Sequence, residues 1–177
     1  MNLEQIATMT LNNLQMLLDN LNVPLAVGPI NDEDYQVLIS GYSELEWEHG
    51  FCCYGNRDDK FEFCVKLLSG PLKNLPAGAA LCTYDQTNSV LEIHFIESFV
   101  KDRLDHPLYG RMFLVTLWAA YLFGTAAGCD EVKINEPINE KVVQHYKKFG
   151  FEGDMNVLSA PFANITDVLK RYAINNK

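Results

Sequence analysis

Lysine and arginine are missing from the first third of this chain, where residues 1–56 carry eight acidic side chains and no basic one. The remaining residues hold all 14 basic side chains and are close to neutral. An acidic surface repels nucleic acid and attracts cations. We therefore expect no nucleic-acid partner, whether the acidic part is a binding site or only a solvated face.

Long hydrophobic runs are also lacking, because none reaches the roughly 18–20 residues that a helix needs to cross a bilayer. The longest apolar stretch, Met112 to Ala127, is interrupted by Thr116, Gly124 and Thr125. The N-terminus lacks the basic start of a signal peptide. The five cysteines are an odd number without paired or metal-ligand spacing. We expect reduced thiols, no metal site, and a cytoplasmic protein without membrane contact.

The apolar content of 48% and the length of 177 residues suit one domain with a full hydrophobic core. No repeat or linker divides the chain, so we expect a single domain over residues 1–177. Apolar spacing predicts helices over residues 3–21 and 32–47, with a short strand over 23–30. The stretch from Phe51 to Gly70 fits both a strand and a helix, and we favour the helix.

Strands and helices alternate more clearly after residue 77. A strand over Ala79–Tyr84 and its return over Val90–Val100 form a hairpin. The order that follows indicates an α/β sheet, antiparallel at the hairpin and parallel across the next helix. The later predicted elements are a helix over 110–127, a strand over 131–135, a helix from Pro137 or Ile138 to Phe149, a strand over 151–158 and a helix over 166–174.

Two motifs lie in this second half of the chain. In the first, Val100 ends a strand and Gly110 opens a helix ten residues later. The first amides of a helix lack internal partners and bind anions. The second motif consists of Asn139, Val142, Tyr146 and Gly150-Phe151. Each motif alone is weak evidence for a function, and the two together are more specific.

Together these residues resemble the GNAT superfamily of acetyl-CoA-dependent N-acetyltransferases, over about residues 77–158. The resemblance implies a GNAT-like α/β fold. Its central sheet is mixed, mostly antiparallel and flanked by helices on both faces, here with an added N-terminal helix. The resemblance also implies acetyl-CoA as the cofactor, bound by a core over 77–158 that follows an acidic helical part over 1–56.

The resemblance also assigns roles to single residues. Asn139 would contact the cofactor arm or order the following helix. Tyr146 would be the general acid that protonates the departing thiolate. The cofactor would be held by the backbone of Phe99, Val100 and Lys101 along its pantetheine arm, and by the amides of Leu108, Tyr109, Gly110 and Arg111 at its pyrophosphate.

Two residues depart from the family's pyrophosphate loop. Asp105 stands where the family has Gln or Arg, and Leu108 where it has the first Gly. That glycine lets backbone amides approach a phosphate closely. Lys101, Arg103 and Arg111 surround the same loop and suit an anionic ligand, although three basic residues here are equally ordinary for a surface.

The general base is expected on the returning strand of the hairpin. Strand alternation places Glu92 and His94 on one face and Phe95 on the other. The pair Ile96-Glu97 breaks the alternation, as a β-bulge does. The candidates are Glu92, then Glu97, then His94, and a solvent-facing polar side chain is the alternative for each.

The expected reaction is direct transfer of acetyl from acetyl-CoA to a primary amine. The acidic first helices favour a cationic acceptor, either a small molecule or a basic protein segment, and we allow for a homodimer. The alternative is a catalytically degenerate GNAT-fold binding or regulatory protein that still holds coenzyme A, for which Asp105 and Leu108 are the evidence. A third interpretation, an acidic interaction protein, rests on the charge alone.

Overall fold

The computed structural model describes residues 1–69 and 75–175. The helices are α1 (Leu3–Asn20), α2 (Asp32–Val37), α3 (Trp47–Gly50), α4 (Met112–Ala127), α5 (Glu140–Lys147) and α6 (Phe162–Asn175). The strands are β1 (Ala26–Gly28), β2 (Phe61–Leu68), β3 (Gly78–Asp85), β4 (Val90–Ser98), β5 (Glu131–Asn135), β6 (Glu152–Gly153) and β7 (Val157–Pro161). Two π-helical turns, Leu38–Tyr42 and Phe51–Gly55, extend α2 and α3.

The seven strands form one sheet in the order β1-β2-β3-β4-β5-β7-β6. Only β4 and β5 are parallel among the described neighbours, and the other pairs are antiparallel. The parallel pair arises because α4 returns the chain along the sheet before β5 begins. This mixed, mostly antiparallel sheet with helices on both faces confirms the predicted fold class, including the added N-terminal helix.

The two faces of the sheet pack against different elements. One face carries the main core, in which strand residues such as Ile93 pack under α1, α4, α5 and α6. The other face is covered at β3 and β4 by the chain from α2 to α3, through Leu38 and Trp47. Glu92 and Glu97 of β4 lie on this second face, where Glu92 is beside Thr83 and Glu97 accepts from Trp47.

The helix α1 begins with a capping box. The side chain of Asn2 accepts from the Gln5 amide, and the Gln5 side chain accepts from the Asn2 amide. Its apolar stripe at Ile6, Leu14 and Leu18 is buried in the main core. Across the described part of the chain, no helix combines the length and the apolar character that a membrane span requires.

The structure corrects three predicted elements. The helix favoured after Phe51 is wrong over Phe61–Leu68, which forms β2, and Gly70 lies outside the described residues. Pairing on both sides, with β1 and β3, outweighs the local helical spacing of this stretch. The predicted helix over 32–47 is interrupted at Gly41, where φ is 90°. The predicted strand over 151–158 is divided into β6 and β7.

Candidate active site

A cleft opens where β4 and β5 separate. Their parallel pairing in the structure extends to Ile93 and Ile134, and the space beyond it is a cleft of about 300 Å³. One wall is the end of β4 up to Ser98, and the other is the end of β5 with the residues that follow it. The helix α5 closes the inner end through Val142 and Tyr146.

A β-bulge at His94 coincides with this separation. Leu81 of β3 pairs with Phe95, whereas the next residue, Cys82, pairs with Ile93. His94 is therefore the extra residue on β4. A bulge bends its strand and increases the local twist, so β4 turns away from β5 at this point.

The position of the bulge differs from the predicted one. We expected it at Ile96-Glu97, but the extra residue is His94, two positions earlier. Phe95 consequently lies on the same face as Glu92 instead of the opposite face, and its ring packs edge-on against Trp47 at 5.3 Å. The break in the alternation of β4 correctly indicated a bulge. The position of the bulge depends on how β3 pairs with β4, and the sequence of β4 alone does not determine that pairing.

The backbone of β4 supplies hydrogen-bonding groups to the cleft. The Phe99 amide donates to the Ala77 carbonyl at 2.9 Å, so Phe99, predicted to face the pantetheine arm, directs its N–H to β3. Along an antiparallel strand, successive residues direct their backbone N–H and C=O groups to opposite sides of the strand. Ile96 and Ser98 therefore direct their N–H and C=O groups to the opposite side, where β5 has moved away.

The other two residues predicted beside the arm lie just beyond β4. Val100 is buried in the main core, and its carbonyl accepts from the Arg103 amide at 3.0 Å. Lys101 lies at the rim of the cleft, where its Nζ forms an ion pair with Glu44 at 2.5 Å. This ion pair joins the α2–α3 segment to the end of β4.

Tyr146 of α5 forms part of the cleft wall. Its ring stacks on Phe113 of α4 with the centroids 4.1 Å apart. Burial raises the pKa of the Tyr146 phenol to about 12. The hydroxyl therefore stays protonated throughout the neutral range, as a proton donor must.

Asn139 begins the helix that carries Tyr146. Its side chain accepts from the Val142 amide at 2.9 Å, which is an N-cap contact. Of the two roles predicted for Asn139, the structure therefore shows the ordering of the helix. Because Asn139 fixes the residue at which α5 begins, it also determines which side chains of the helix face the cleft.

His94 lies in the cleft wall, with only 5% of its side chain exposed. Its Nε2 is 2.8 Å from Thr83 Oγ1, and its Nδ1 is 3.4 Å from Asn135 Nδ2. The ring of Tyr54 stacks on the imidazole. Burial lowers the pKa of His94 to about 4, although the charge of Glu92 opposes this. His94 is therefore neutral at pH 7.

Glu92, the first candidate base, is held away from the cleft. Its Oε2 forms an ion pair with Lys60 and lies 3.4 Å from Thr83 Oγ1. Thr83 stands between Glu92 and His94. The carboxylate does not line the cleft itself and reaches it through Thr83 and His94, whose Nε2 is 4.0 Å from Glu92 Oε2.

Glu97, the second candidate base, accepts three hydrogen bonds. The donors are the amides of Glu44 at 2.8 Å and Leu45 at 3.0 Å, and Trp47 Nε1 at 2.9 Å. The residue is buried. Its carboxylate thus fixes the α2–α3 segment over the end of β4.

The loop between β4 and α4 is a series of tight turns. The Leu108 amide donates to His106 Nδ1 at 3.1 Å, the Tyr109 amide to the His106 carbonyl at 2.9 Å, and the Arg111 amide to the Leu108 carbonyl at 2.9 Å. Three of the four amides predicted to face the pyrophosphate are therefore used within the loop. Gly110, at φ 67°, is the fourth.

The side chain of Leu108 belongs to the main core. It is fully buried, and it occupies the space that a side chain on Gly78 would need, beside Met112. This packing explains a leucine where the family has glycine. Asp105 and Arg103 are exposed.

Sequence reasoning missed Tyr54, Thr83, Asn135 and Glu136 as neighbours of the cleft. Asn135 and Glu136 follow the carboxyl end of a parallel strand, which is a common position for functional residues and a usable signal. Thr83 becomes relevant only through the register of β3 with β4. Tyr54 lies on a π-helical turn that the sequence did not indicate.

No family model matches the sequence, and no curated protein matches it. Solved structures do. The chain is similar to one in the KacTA–DNA complex, with 17% identity over 83% of this chain and 99% of that chain (TM-score 0.54). A chimera of spermidine N-acetyltransferase SpeG from Vibrio cholerae and hSSAT gives 14% identity over 81% and 99% (TM-score 0.54). The AtaT mutant toxin bound to the antitoxin AtaR and acetyl-CoA gives 13% over 82% and 98% (TM-score 0.51).

These similarities show that the chain has the fold of the GNAT-superfamily acetyltransferases, as the two motifs predicted.

The partner prediction is wrong. It excluded nucleic acid on charge, and beside the amine or basic protein acceptor it named no further protein partner except a possible homodimer. A neighbour with this fold is solved in a DNA complex, and another is bound to the C-terminus of a protein antitoxin. Net charge describes a single chain, whereas an assembly with DNA also depends on the charge of its other members. Charge alone therefore does not exclude nucleic acid for this fold.

Proposed function

We propose that this protein is an N-acetyltransferase that transfers acetyl from acetyl-CoA to a primary amine, with Tyr146 as general acid. The observation that carries the proposal is the cleft between β4 and β5, which has unpaired strand backbone on one wall and a protonated phenol on another. The neighbours support the same chemistry, because one is named an N-acetyltransferase and another is bound to acetyl-CoA.

The cleft and its loop fit the parts of acetyl-CoA. The pantetheine arm carries amides, which can pair with the backbone of Ile96 and Ser98 as an added strand would. The Gly110 amide and the first-turn amides of α4 suit the pyrophosphate, because the start of a helix attracts anions. Arg103 and Arg111, both exposed beside this loop, add positive charge.

In this mechanism Tyr146, in the wall of the cleft, would assist the departure of the thiolate. Acetyl-CoA, when bound, supplies a thioester whose carbonyl carbon a neutral amine attacks. Tyr146 would donate its phenolic proton to the departing sulfur. A free thiol has a pKa near ~8.5, below that of this phenol. However, the burial that raises the pKa of Tyr146 also raises the proton affinity of a thiolate beside it.

We propose a cationic acceptor, either a small molecule or a basic protein segment. Glu44 and Glu46, before α3, and Glu48, in α3, are exposed, and Glu44 is at the cleft rim, where it pairs with Lys101. A cluster of acids beside an active site attracts cations. One neighbour is named for spermidine, which is a cation at neutral pH.

A second candidate is a binding or regulatory protein that holds coenzyme A without turnover. The loop favours it, since the amides of Leu108, Tyr109 and Arg111 are used internally. Only the Gly110 amide and the start of α4 would then remain for the pyrophosphate.

Calorimetry and a thiol-release assay distinguish the two candidates. The protein is titrated with acetyl-CoA and then assayed with a panel of amines. The panel comprises a polyamine, an aminoglycoside, a lysine-rich peptide and ethanolamine, which has a single amino group. We expect binding and faster thiol release with the multiply charged amines. Binding without release for every amine would favour the second candidate, and equal rates across the panel would contradict the cationic acceptor.

A further inference from the structure

A chain of hydrogen bonds leads from the cleft through the sheet to a half-buried ion pair. It begins at Asn135 Nδ2, 3.4 Å from His94 Nδ1 in the cleft wall. It continues from His94 Nε2 to Thr83 Oγ1 at 2.8 Å, and from Thr83 Oγ1 to Glu92 Oε2 at 3.4 Å. It ends where Glu92 pairs with Lys60.

The network fixes the tautomer of His94. The Thr83 hydroxyl has one proton, which it donates to the Glu92 carboxylate, because a carboxylate can only accept. Thr83 Oγ1 then accepts from His94, so Nε2 must carry the imidazole proton. With the Asn135 amide oriented so that its NH₂ lies 3.4 Å from Nδ1, Nδ1 is the acceptor. Both ends of the ring give the same assignment.

The acceptor nitrogen of this tautomer, Nδ1, is on the cleft side, and an incoming amine would displace its 3.4 Å contact with Asn135. His94 and Asn135 line the cleft, whereas Thr83 and Glu92 do not. Nδ1 lies beside Asn135, and Nε2 lies beside Thr83 on the side away from the cleft. An amine nitrogen entering the cleft would meet Nδ1.

We propose that His94 is the proton acceptor of the acetyl-transfer step, and that Thr83 and Glu92 position it. The inference rests on the proposed function and names the base that this function requires. It differs from the sequence-based ranking, which placed Glu92 first. In the structure Glu92 contacts the cleft only through Thr83 and His94, so its carboxylate acts by holding the ring.

The neutral amine forms an N–C bond to the acetyl carbonyl carbon, and the C–S bond breaks. One amine proton moves to His94 Nδ1, and the sulfur takes the phenolic proton of Tyr146. The imidazolium then returns its proton through solvent to the Tyr146 phenolate, which restores both residues. The resulting positive charge on His94 lies 4.0 Å from Glu92 Oε2.

The charged groups around His94 come from three parts of the chain. Glu92 on β4 and Glu136 after β5 favour its protonated form, whereas Lys60 and Arg57, which precede β2, oppose it. The ring of Tyr54 covers one face of the imidazole. Glu92, which has the largest effect of these charges and lies 4.0 Å from Nε2, is the group that stabilises the imidazolium once it has formed.

Kinetics of two variants test the inference. His94→Gln keeps a polar side chain but cannot accept the proton, so we expect kcat to fall by about 10²-fold or more. Thr83→Val keeps the shape and loses the hydroxyl, and we expect a fall of about tenfold. In both, KM for acetyl-CoA should change by less than about threefold, because neither side chain binds the cofactor in this account. His49→Gln and Thr125→Val, on exposed residues outside the chain of hydrogen bonds, are the matched controls.

The tautomer provides a second readout that does not depend on turnover. Nitrogen-15 NMR of the wild type should show His94 protonated at Nε2 and free at Nδ1 at pH 7, and Thr83→Val should weaken this preference. A ring protonated at Nδ1 would overturn the inference. So would turnover of His94→Gln at more than about a third of the wild-type rate. A wild type that binds acetyl-CoA but acetylates no amine would overturn the proposed function, and the inference with it.

Discussion

The phenol ring of Tyr54 lies flat on the imidazole of His94, with 4.4 Å between the centroids and 5° between the planes. The Tyr54 hydroxyl also donates to Glu136 Oε2 at 3.3 Å. Tyr54 thereby joins the π-helical turn after α3 to the ends of both β4 and β5. Its ring covers one face of the bulge residue and so contributes to the burial that keeps His94 neutral.

The stability of the protein should depend on pH through His94. Its pKa is about 4 in the folded chain, against 6.5 ordinarily. The unfolded chain therefore binds more protons between these values, and stability falls as the pH decreases through this window. Between pH 7 and pH 4.5 we expect the wild type to lose about 2 kcal/mol more than His94→Gln. Urea denaturation at both pH values measures this, and equal losses would contradict the burial of a neutral His94.

Tyr146→Phe tests the general acid. The substitution keeps the ring that stacks on Phe113 and removes only the hydroxyl. We expect kcat to fall by about 10²-fold or more, with KM for acetyl-CoA within about threefold of the wild type. Tyr121→Phe, on the far side of α4 against Phe162, is the control. Steady-state kinetics check this, and an unchanged kcat at neutral pH would remove Tyr146 from the mechanism.

Leu108 and Leu104 form a matched pair in the same loop. Leu108 is fully buried against Gly78 and Met112, whereas Leu104 is 77% exposed. Leu108→Ala should lower the free energy of unfolding by about 2–4 kcal/mol, because it leaves a cavity in the core. Leu104→Ala should change it by less than about 0.5 kcal/mol. Denaturant titration distinguishes them, and equal small effects would show that Leu108 is not a core residue.

Glu97 should act as an anchor for the α2–α3 segment. Glu97→Ala leaves the buried Trp47 indole N–H and two backbone amides without their acceptor. We expect a loss of about 2–4 kcal/mol in the free energy of unfolding. Glu152→Ala, at an exposed position on β6, should change it by less than about 0.5 kcal/mol. A Glu97→Ala protein as stable as the wild type would contradict the anchoring role.

The sequence predicted those parts of the fold that depend on local spacing. The elements after residue 77, except the strand over 151–158 that is divided into β6 and β7, and the parallel step across α4 follow from motif spacing and apolar periodicity within single segments. The strand β2 was missed because its state is decided by pairing with β1 and β3, not by its own residues. The interruption at Gly41 was missed because apolar spacing continued across it.

The site was predictable to a similar extent. The spacing from Asn139 to Tyr146 places the phenol on a capped helix beside the cleft, and the structure has it there. The surroundings of His94 were not predictable, since Thr83 and Tyr54 meet it only through strand register and a π-helical turn. The turns that use the Leu108 and Tyr109 amides depend on His106, which no family pattern indicated.

The proposed activity requires that acetyl-CoA bind between β4 and β5. Isothermal titration calorimetry with acetyl-CoA on the wild type, Val142→Trp and Val157→Trp tests it directly. Val142 lines the cleft, whereas Val157 lies outside it on β7. We predict one site per chain in the wild type and in Val157→Trp, and binding at least about tenfold weaker in Val142→Trp, because the indole fills the cleft. Equal binding by all three proteins, or no binding by the folded wild type, would contradict the account.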